Sequence, residues 1–278
     1  MHRLLSACAP PTPDPSLAGR GGARGRVVAL LLVLLAGCRE AGPSAQAAAE
    51  AAAQESACRA ELFEEARFTV CSVEGGTIEV RTSGEHRRPY RSFAALQAAL
   101  GPRARGVALA MNAGMFDEEG HAIGLLVEDG RELHPINRRE GAGNFHMMPN
   151  GVFLVRRDGT AQIVTSAGYR ASDDIKFGTQ SGPMLVIDGK LHPAFEQDGS
   201  SRHIRNGVGI APDGTALFVI SADPVSFGKF ARFYRDSLKV RDALYFDGSV
   251  SSLWDPASGR MDSHSGLGPM VVVFRRAE

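Results

Sequence analysis

Apolar and polar positions alternate in short stretches over much of the chain, and several breaks between them fall on Asp-Gly pairs. Asp129-Gly130, Asp158-Gly159, Asp188-Gly189 and Asp213-Gly214 lie inside GLLVEDGRELHPI, GVFLVRRDGTAQIV, PMLVIDGKLHPA and VGIAPDGTALFVI. Both residues of the pair tolerate positive φ, so each segment predicts a β-hairpin. Four hairpins predict a domain rich in antiparallel pairs. The pairs recur about every 25 to 30 residues, but their flanks differ, which argues against a propeller of repeated blades.

Three segments are apolar almost throughout: GVALAMNAGMF, ALYFDGSVSSLW and LGPMVVVFR. Runs of this kind predict central strands covered on both faces. The first two end on polar residues beside glycine, at Asn112-Ala113-Gly114 and Asp247-Gly248-Ser249. Chemistry belongs at such strand ends, where a rigid scaffold meets an exposed loop. Helical patterns are fewer. Ser92 is an N-cap candidate for a helix that stops at Gly101-Pro102. Residues 225–239 place Phe227, Phe230, Phe233 or Tyr234, and Leu238 on one side, as in an amphipathic helix packed on a sheet. The expected class is therefore α+β: a sheet-rich single domain with several antiparallel hairpins and a few packed helices.

The front of the chain has a different character. Val27 to Ala36 form a ten-residue apolar run behind Arg24 and Arg26. A membrane span needs about 20 residues, so this run fits a secretory signal. It ends in Leu35-Ala36-Gly37-Cys38, a lipobox-like sequence that would make Cys38 the lipid-bearing first mature residue. The Ala-rich stretch that follows reads as a tether. The expected organisation is a lipoprotein signal peptide over 1–37, a tether over 38–57 and one folded domain over 58–278. The expected location is the bacterial cell envelope, on the periplasmic side, with the outer membrane preferred because Arg39 follows the cysteine.

Charge narrows the partners. Lys plus Arg and Asp plus Glu are each 31, and residues 1–37 carry four arginines against Asp14. The remainder is thus mildly acidic, which speaks against nucleic acid. Two cysteines remain after Cys8 and Cys38, namely Cys58 and Cys71. In an exported domain they are expected to pair, since a two-Cys metal site lacks the His or Cys neighbours it needs.

Four segments, taken in order, resemble the phosphodiester glycosidase family. They are Met111-Asn112-Ala113-Gly114-Met115-Phe116, Gln180-Ser181-Gly182-Pro183-Met184-Leu185-Val186, Ile204-Arg205-Asn206-Gly207-Val208-Gly209, and Tyr245-Phe246-Asp247-Gly248-Ser249-Val250-Ser251-Ser252-Leu253. Asn137-Arg138-Arg139 and Gly143-Asn144-Phe145 add a similarity to a bacterial branch. The resemblance implies an envelope hydrolase that cleaves the glycosidic bond of a sugar-1-phosphodiester. Two places depart from the usual Asn-Gly-Gly-Phe-Phe and Asp-Gly-Gly-Gly-Ser. They hold Asn112-Ala113-Gly114-Met115-Phe116 and Asp247-Gly248-Ser249-Val250-Ser251, which leaves the substrate open.

A phosphodiester-linked sugar has a weakly basic leaving group, so the site must chiefly hold phosphate, stabilise a cationic sugar and activate water. Asp247 is the candidate carboxylate, as base or as stabiliser of the cation; its bland alternative is a turn cap. Arg205 is the candidate phosphate ligand, by the match of guanidinium to phosphate oxygens; its alternative is a solvated or ion-paired arginine. Arg138 and Arg139 follow. Asn112, Gln180, Ser181, Asn206, Ser249 and Asn144 are candidate substrate donors, and Gly114 and Gly182 would let backbone N–H groups approach an anion. Asp117 and His146 are weaker candidates. His134 and His264 are expected at the surface. No metal motif or dinucleotide motif is present in the sequence, and no cofactor is required; a divalent metal beside the phosphate remains compatible with the carboxylates. The expected partners are a sugar-phosphate or glycan and, through Cys38, a membrane. Two other readings stay open: a non-catalytic lipoprotein that binds glycan or phosphopolymer, and a metal-dependent phosphodiesterase.

Overall fold

The structure is a computed structural model that describes residues 55–84 and 88–276. The segments expected as signal peptide, lipid-bearing Cys38 and nearly all of the tether lie outside the described residues. In chain order the strands are β1 (Cys58–Phe63), β2 (Ala66–Cys71), β3 (Thr77–Arg81), β4 (Val107–Asn112), β5 (Leu126–Glu128), β6 (Arg131–His134), β7 (Gly151–Arg156), β8 (Ala161–Thr165), β9 (Ile175–Ser181), β10 (Met184–Ile187), β11 (Lys190–Leu191), β12 (Asn206–Ile210), β13 (Ala216–Ser221), β14 (Asp242–Tyr245), β15 (Leu253–Asp255), β16 (Arg260–Met261) and β17 (Met270–Phe274). The α-helices are α1 (Phe93–Leu100) and α2 (Phe227–Arg232).

The strands form three sheets: a seven-stranded one in the order β1-β2-β13-β12-β14-β10-β11, and two of five strands, β16-β15-β4-β17-β3 and β6-β5-β9-β7-β8. All strand pairs are antiparallel. The class is α+β, as the pattern of hairpins and few helices implies.

One apolar core is shared by all three sheets. Val208, Phe218 and Phe246 enter it from the first, Leu109, Met111 and Val271 from the second, and Phe153 and Phe177 from the third. Smaller clusters cover the outer faces. Phe230, Phe233 and Tyr234 pack on the seven-stranded sheet beside Phe68, Val70 and Tyr245. Helix α1 lays Phe93, Leu96 and Leu100 against Val272 and Trp254. Leu125, Val152, Leu154 and Tyr169 close the outside of the third sheet. This two-sided coverage explains why β17 is apolar throughout and β4 is apolar up to its last residue, Asn112: all their residues are buried.

The turn chemistry follows the sequence. All four Asp-Gly pairs close hairpins, joining β5 to β6, β7 to β8, β10 to β11 and β12 to β13. Asp129 and Asp188 take positive φ together with the glycine that follows, whereas at the other two turns only Gly159 and Gly214 do. There Asp158 and Asp213 accept from the backbone N–H of Thr160 and Thr215 (2.8 and 2.9 Å). Ser92 caps α1 by accepting from the Ala95 N–H. The helix expected over 225–239 forms as α2, capped by Ser226, and then widens into a π-helical stretch over Phe233–Ser237. Phe233 and Tyr234, at the start of this stretch, are both buried. Cys58 and Cys71 stand opposite one another in the β1–β2 hairpin and form a disulfide.

Candidate active site

Asp247 follows β14, at the point where the strand gives way to a single 3-10 turn, Gly248–Val250. Its backbone N–H donates to the Ala113 carbonyl (2.9 Å), which ties the aspartate to the end of β4. Its carboxylate accepts from the Ser249 N–H (3.1 Å) and the Ser249 hydroxyl (2.5 Å). Asp247 thus caps a turn, as the bland reading has it, while its carboxyl remains only partly covered. Burial pushes that carboxyl above the ordinary aspartate range, and the two Ser249 bonds oppose the shift.

Beneath the turn lies a chain of buried amides and hydroxyls. Asn112 donates from Nδ2 to the Asp247 carbonyl (2.6 Å). Its Oδ1 accepts from Asn206 Nδ2 (2.9 Å) and from the Ser252 N–H (2.8 Å). Asn206 Nδ2 also reaches the Asn112 carbonyl (2.9 Å), and Asn206 Oδ1 accepts from the Ser251 hydroxyl (3.1 Å). Asn112, Asn206, Ser251 and Ser252 are buried, so these bonds replace water the groups have lost. The network joins β4, β12 and the loop before β15. Asn112 and Asn206, expected as substrate donors, have committed their amides to holding the Asp247 turn.

Strand alternation sends Arg205 the other way. Asn206 points toward the shared core, so Arg205 points to the outer face, next to Tyr245. Arg205 as a whole is 1% exposed. Nε donates to the Val225 carbonyl (2.8 Å), Nη2 to the Ser201 carbonyl (2.9 Å) and Nη1 to the Tyr245 hydroxyl (3.2 Å). The Phe227 ring lies 3.6 Å from the guanidinium carbon. Among the described residues no carboxylate pairs with it, and burial lowers its pKa from the usual arginine value. The tyrosine hydroxyl in turn stands against Gly248, where an added Cβ would overlap it. Arg205 therefore reaches the Asp247 turn through Tyr245, and its own forked face is not presented to solvent. Tyr245 was legible as a partner in principle: two positions before Asp247 in a strand is the same face.

The remaining candidates spread out. Gln180, on β9, points to the outside of the third sheet. Its Oε1 accepts from the N–H groups of Leu125 and Asn137 (2.9 Å each) and its Nε2 donates to the Asn137 carbonyl (2.5 Å). It clamps a loop and has no spare group for a ligand. Ser181 is fully buried, and among the described residues its hydroxyl has no partner. Gly114 and Gly182 are required by close approach: a Cβ on Gly114 would lie 2.7 Å from the Gln180 carbonyl oxygen, and one on Gly182 2.5 Å from Asn150 Cβ. Arg138 donates to the Ser166 and Tyr169 carbonyls (3.0 and 3.2 Å) and lines a separate hollow with Glu140 and Met148. Asn144 is exposed in a one-turn helix, and His146 contacts the Arg139 carbonyl beside it. Asp117 caps its own loop at His121.

A cleft of about 580 Å³ opens beside the Asp247 turn. Gly248, Ser249 and Ser251 form one wall, and His203, Arg260, Asp262 and His264 contribute polar groups. His264 is exposed, as expected, and it also belongs to this cleft. His203, Arg260 and Asp262 carry no motif spacing and were invisible as a group, because the fold alone unites residue 203 with 260–264. Among the described residues no cluster of three or more His, Cys, Asp or Glu side chains has the arrangement of a metal site.

Residues 105–263 match the phosphodiester glycosidase family. The uncharacterized protein YigE of Escherichia coli (strain K12) is 38% identical over 148 residues, which cover 53% of this chain and 58% of that protein. The fold is similar to that of the catalytic domain of zebrafish N-acetylglucosamine-1-phosphodiester alpha-N-acetylglucosaminidase, auto-inhibited by its pro-peptide. The TM-score is 0.55 at 14% identity, covering 79% of this chain and 82% of the other.

Proposed function

We propose, from the premise that the chain belongs to the phosphodiester glycosidase family, that it hydrolyses the glycosidic bond of a sugar-1-phosphodiester. The observation that carries this reading is Asp247: a half-covered carboxylate at a strand end, fixed by a buried amide network and standing beside an open cleft. Its raised pKa makes the ionised form a stronger base than a solvated aspartate. In the proposed reaction Asp247 takes a proton from water as the water attacks C1 of the sugar. The bond from C1 to the phosphate oxygen breaks, and the phosphate departs with the electron pair. The negative charge left on phosphate needs no acid to protonate it, in contrast to an ordinary alcohol leaving group. The carboxylate also opposes the positive charge that builds on the sugar ring. The reading further places the mature chain at the bacterial cell envelope, held by lipid on Cys38.

The test is release of sugar from a panel of sugar-1-phosphodiesters by the full-length protein, with Asp247→Asn as the control. The substitution is expected to lower turnover by about 10² to 10⁴, the range for loss of a positioned acid–base group. Both proteins silent across the panel would remove the basis for this reading. A phosphosugar product with sensitivity to chelators would instead assign cleavage of the P–O bond with a metal.

A further inference from the structure

We infer that His203, Arg260 and His264 form the phosphoryl-binding subsite of the cleft beside the Asp247 turn. The inference rests on the proposed glycosidase reading for its place in catalysis, but its physical content is separate: a site for a phosphate monoester or diester. Of the eight histidines in the chain, six are described, and two of these six meet in this one cleft with an arginine. They come from segments about 60 residues apart, the loop before β12 and the hairpin of β15 and β16 with its exit.

Placement of charge sets the direction. A bound phosphate cannot sit against Asp247, since two anions at close range repel strongly in a partly desolvated site. Ser249 marks the divide: its hydroxyl donates to Asp247 and it also lines the cleft. The reacting carbon belongs on the Ser249 side and the phosphate at the imidazole and guanidinium groups. One carboxylate, Asp262, stands among them. It accepts from Arg260 Nε (3.1 Å) and Nη2 (2.7 Å) and from the Leu253 N–H (3.0 Å), so it is anchored and occupied. That pairing fixes the guanidinium and leaves Nη1 without a protein partner among the described residues. Guanidinium N–H and imidazole N–H groups are the donors that suit phosphate oxygens. Arg205 does not fill this role because its N–H groups are spent on Val225, Ser201 and Tyr245 inside the fold.

Two measurements on the full-length protein test this. In the first, inorganic phosphate and dimethyl phosphate are titrated while the imidazole proton resonances are followed, assigned through His203→Gln and His264→Gln. Both resonances are expected to shift with one binding curve, and Arg260→Gln is expected to weaken that curve about tenfold, the scale of one lost charge-assisted hydrogen bond. Absence of any shift at His203 and His264 at millimolar phosphate overturns the subsite. In the second, rates are compared for a sugar-1-phosphodiester and a neutral aryl glycoside of the same sugar. The ratio of kcat/KM for the two is expected to fall about tenfold in His203→Gln and in Arg260→Lys, which keeps the charge and loses the fork. An unchanged ratio in a protein that turns over the phosphodiester also overturns it. Phosphate binding without sugar release would keep the subsite and defeat the glycosidase reading instead.

Discussion

Asp247 costs the folded protein stability and gains reactivity from the same burial. Its carboxyl is raised in the fold, so the ionised form is less favoured there than in the unfolded chain. The associated stability is full below the ordinary aspartate pKa of about 3.9 and is lost as pH rises through the higher folded value. Asp247→Asn removes the ionisation and keeps an oxygen that can accept from the Ser249 N–H. The variant is therefore expected to melt at or above the wild-type temperature near neutral pH, with the difference vanishing below about pH 4. A melting series against pH for both proteins checks this; a variant less stable at neutral pH would show that the carboxylate mainly holds the turn. The buried amides beneath it explain why Asn112 and Asn206 were easy to see while their hydrogen-bond partners were not. Their identity was legible in Met111-Asn112-Ala113-Gly114 and Arg205-Asn206-Gly207, but sequence does not say whether an amide faces a ligand or a neighbouring carbonyl. The alternation of β12 decides it, by placing Asn206 inward and Arg205 outward.

At the level of elements, the sheets are joined by charge as well as by the core. Arg81 on β3 bonds Glu79 (2.7 Å) in its own strand and Glu128 (2.9 Å) on β5, across two sheets. All three side chains are mostly buried. Glu128 is raised by burial, chiefly, against the lowering effect of Arg81. Arg81→Met leaves both carboxylates without their shared partner and is expected to destabilise the fold by about 3 kcal/mol, the lower end for breaking a buried pair. The loss should deepen as pH rises, because Glu128 then ionises without the arginine while Glu79 keeps Arg103 (2.7 Å); urea unfolding at two pH values measures both effects. These elements were largely legible. Asp-Gly pairs specify hairpins through backbone chemistry that needs no tertiary context, and Ser92 announces α1 through its cap. The sheet assignment of each hairpin was not legible, because it depends on which apolar face finds the shared core. Nor was the π-helical widening over Phe233–Ser237, which no residue pattern in that segment announces.

Across the whole molecule, three sheets around one core bring residue 112 beside 206 and 247, and residue 203 beside 262. The strand-end residues were readable as a set because each follows an apolar run. The cleft residues were not, since they follow none. The Cys38 lipid reading has its own expected outcome at this scale: Cys38→Ala should move the protein from the membrane fraction to the soluble fraction, and an unchanged distribution would remove the anchor. A different consequence follows from the seating of Asn206. It precedes Gly207, and in an open chain a glycine nitrogen readily attacks such a side-chain amide, expelling ammonia; water then opens the ring to aspartate or its β-linked isomer. Folded, both residues are buried in β12, and that ring cannot close. Chemical ageing at this position is therefore confined to time spent unfolded. Each excursion risks a carboxylate where the two Asn112 oxygens require an amide donor, and a chain so altered does not regain its site on cooling.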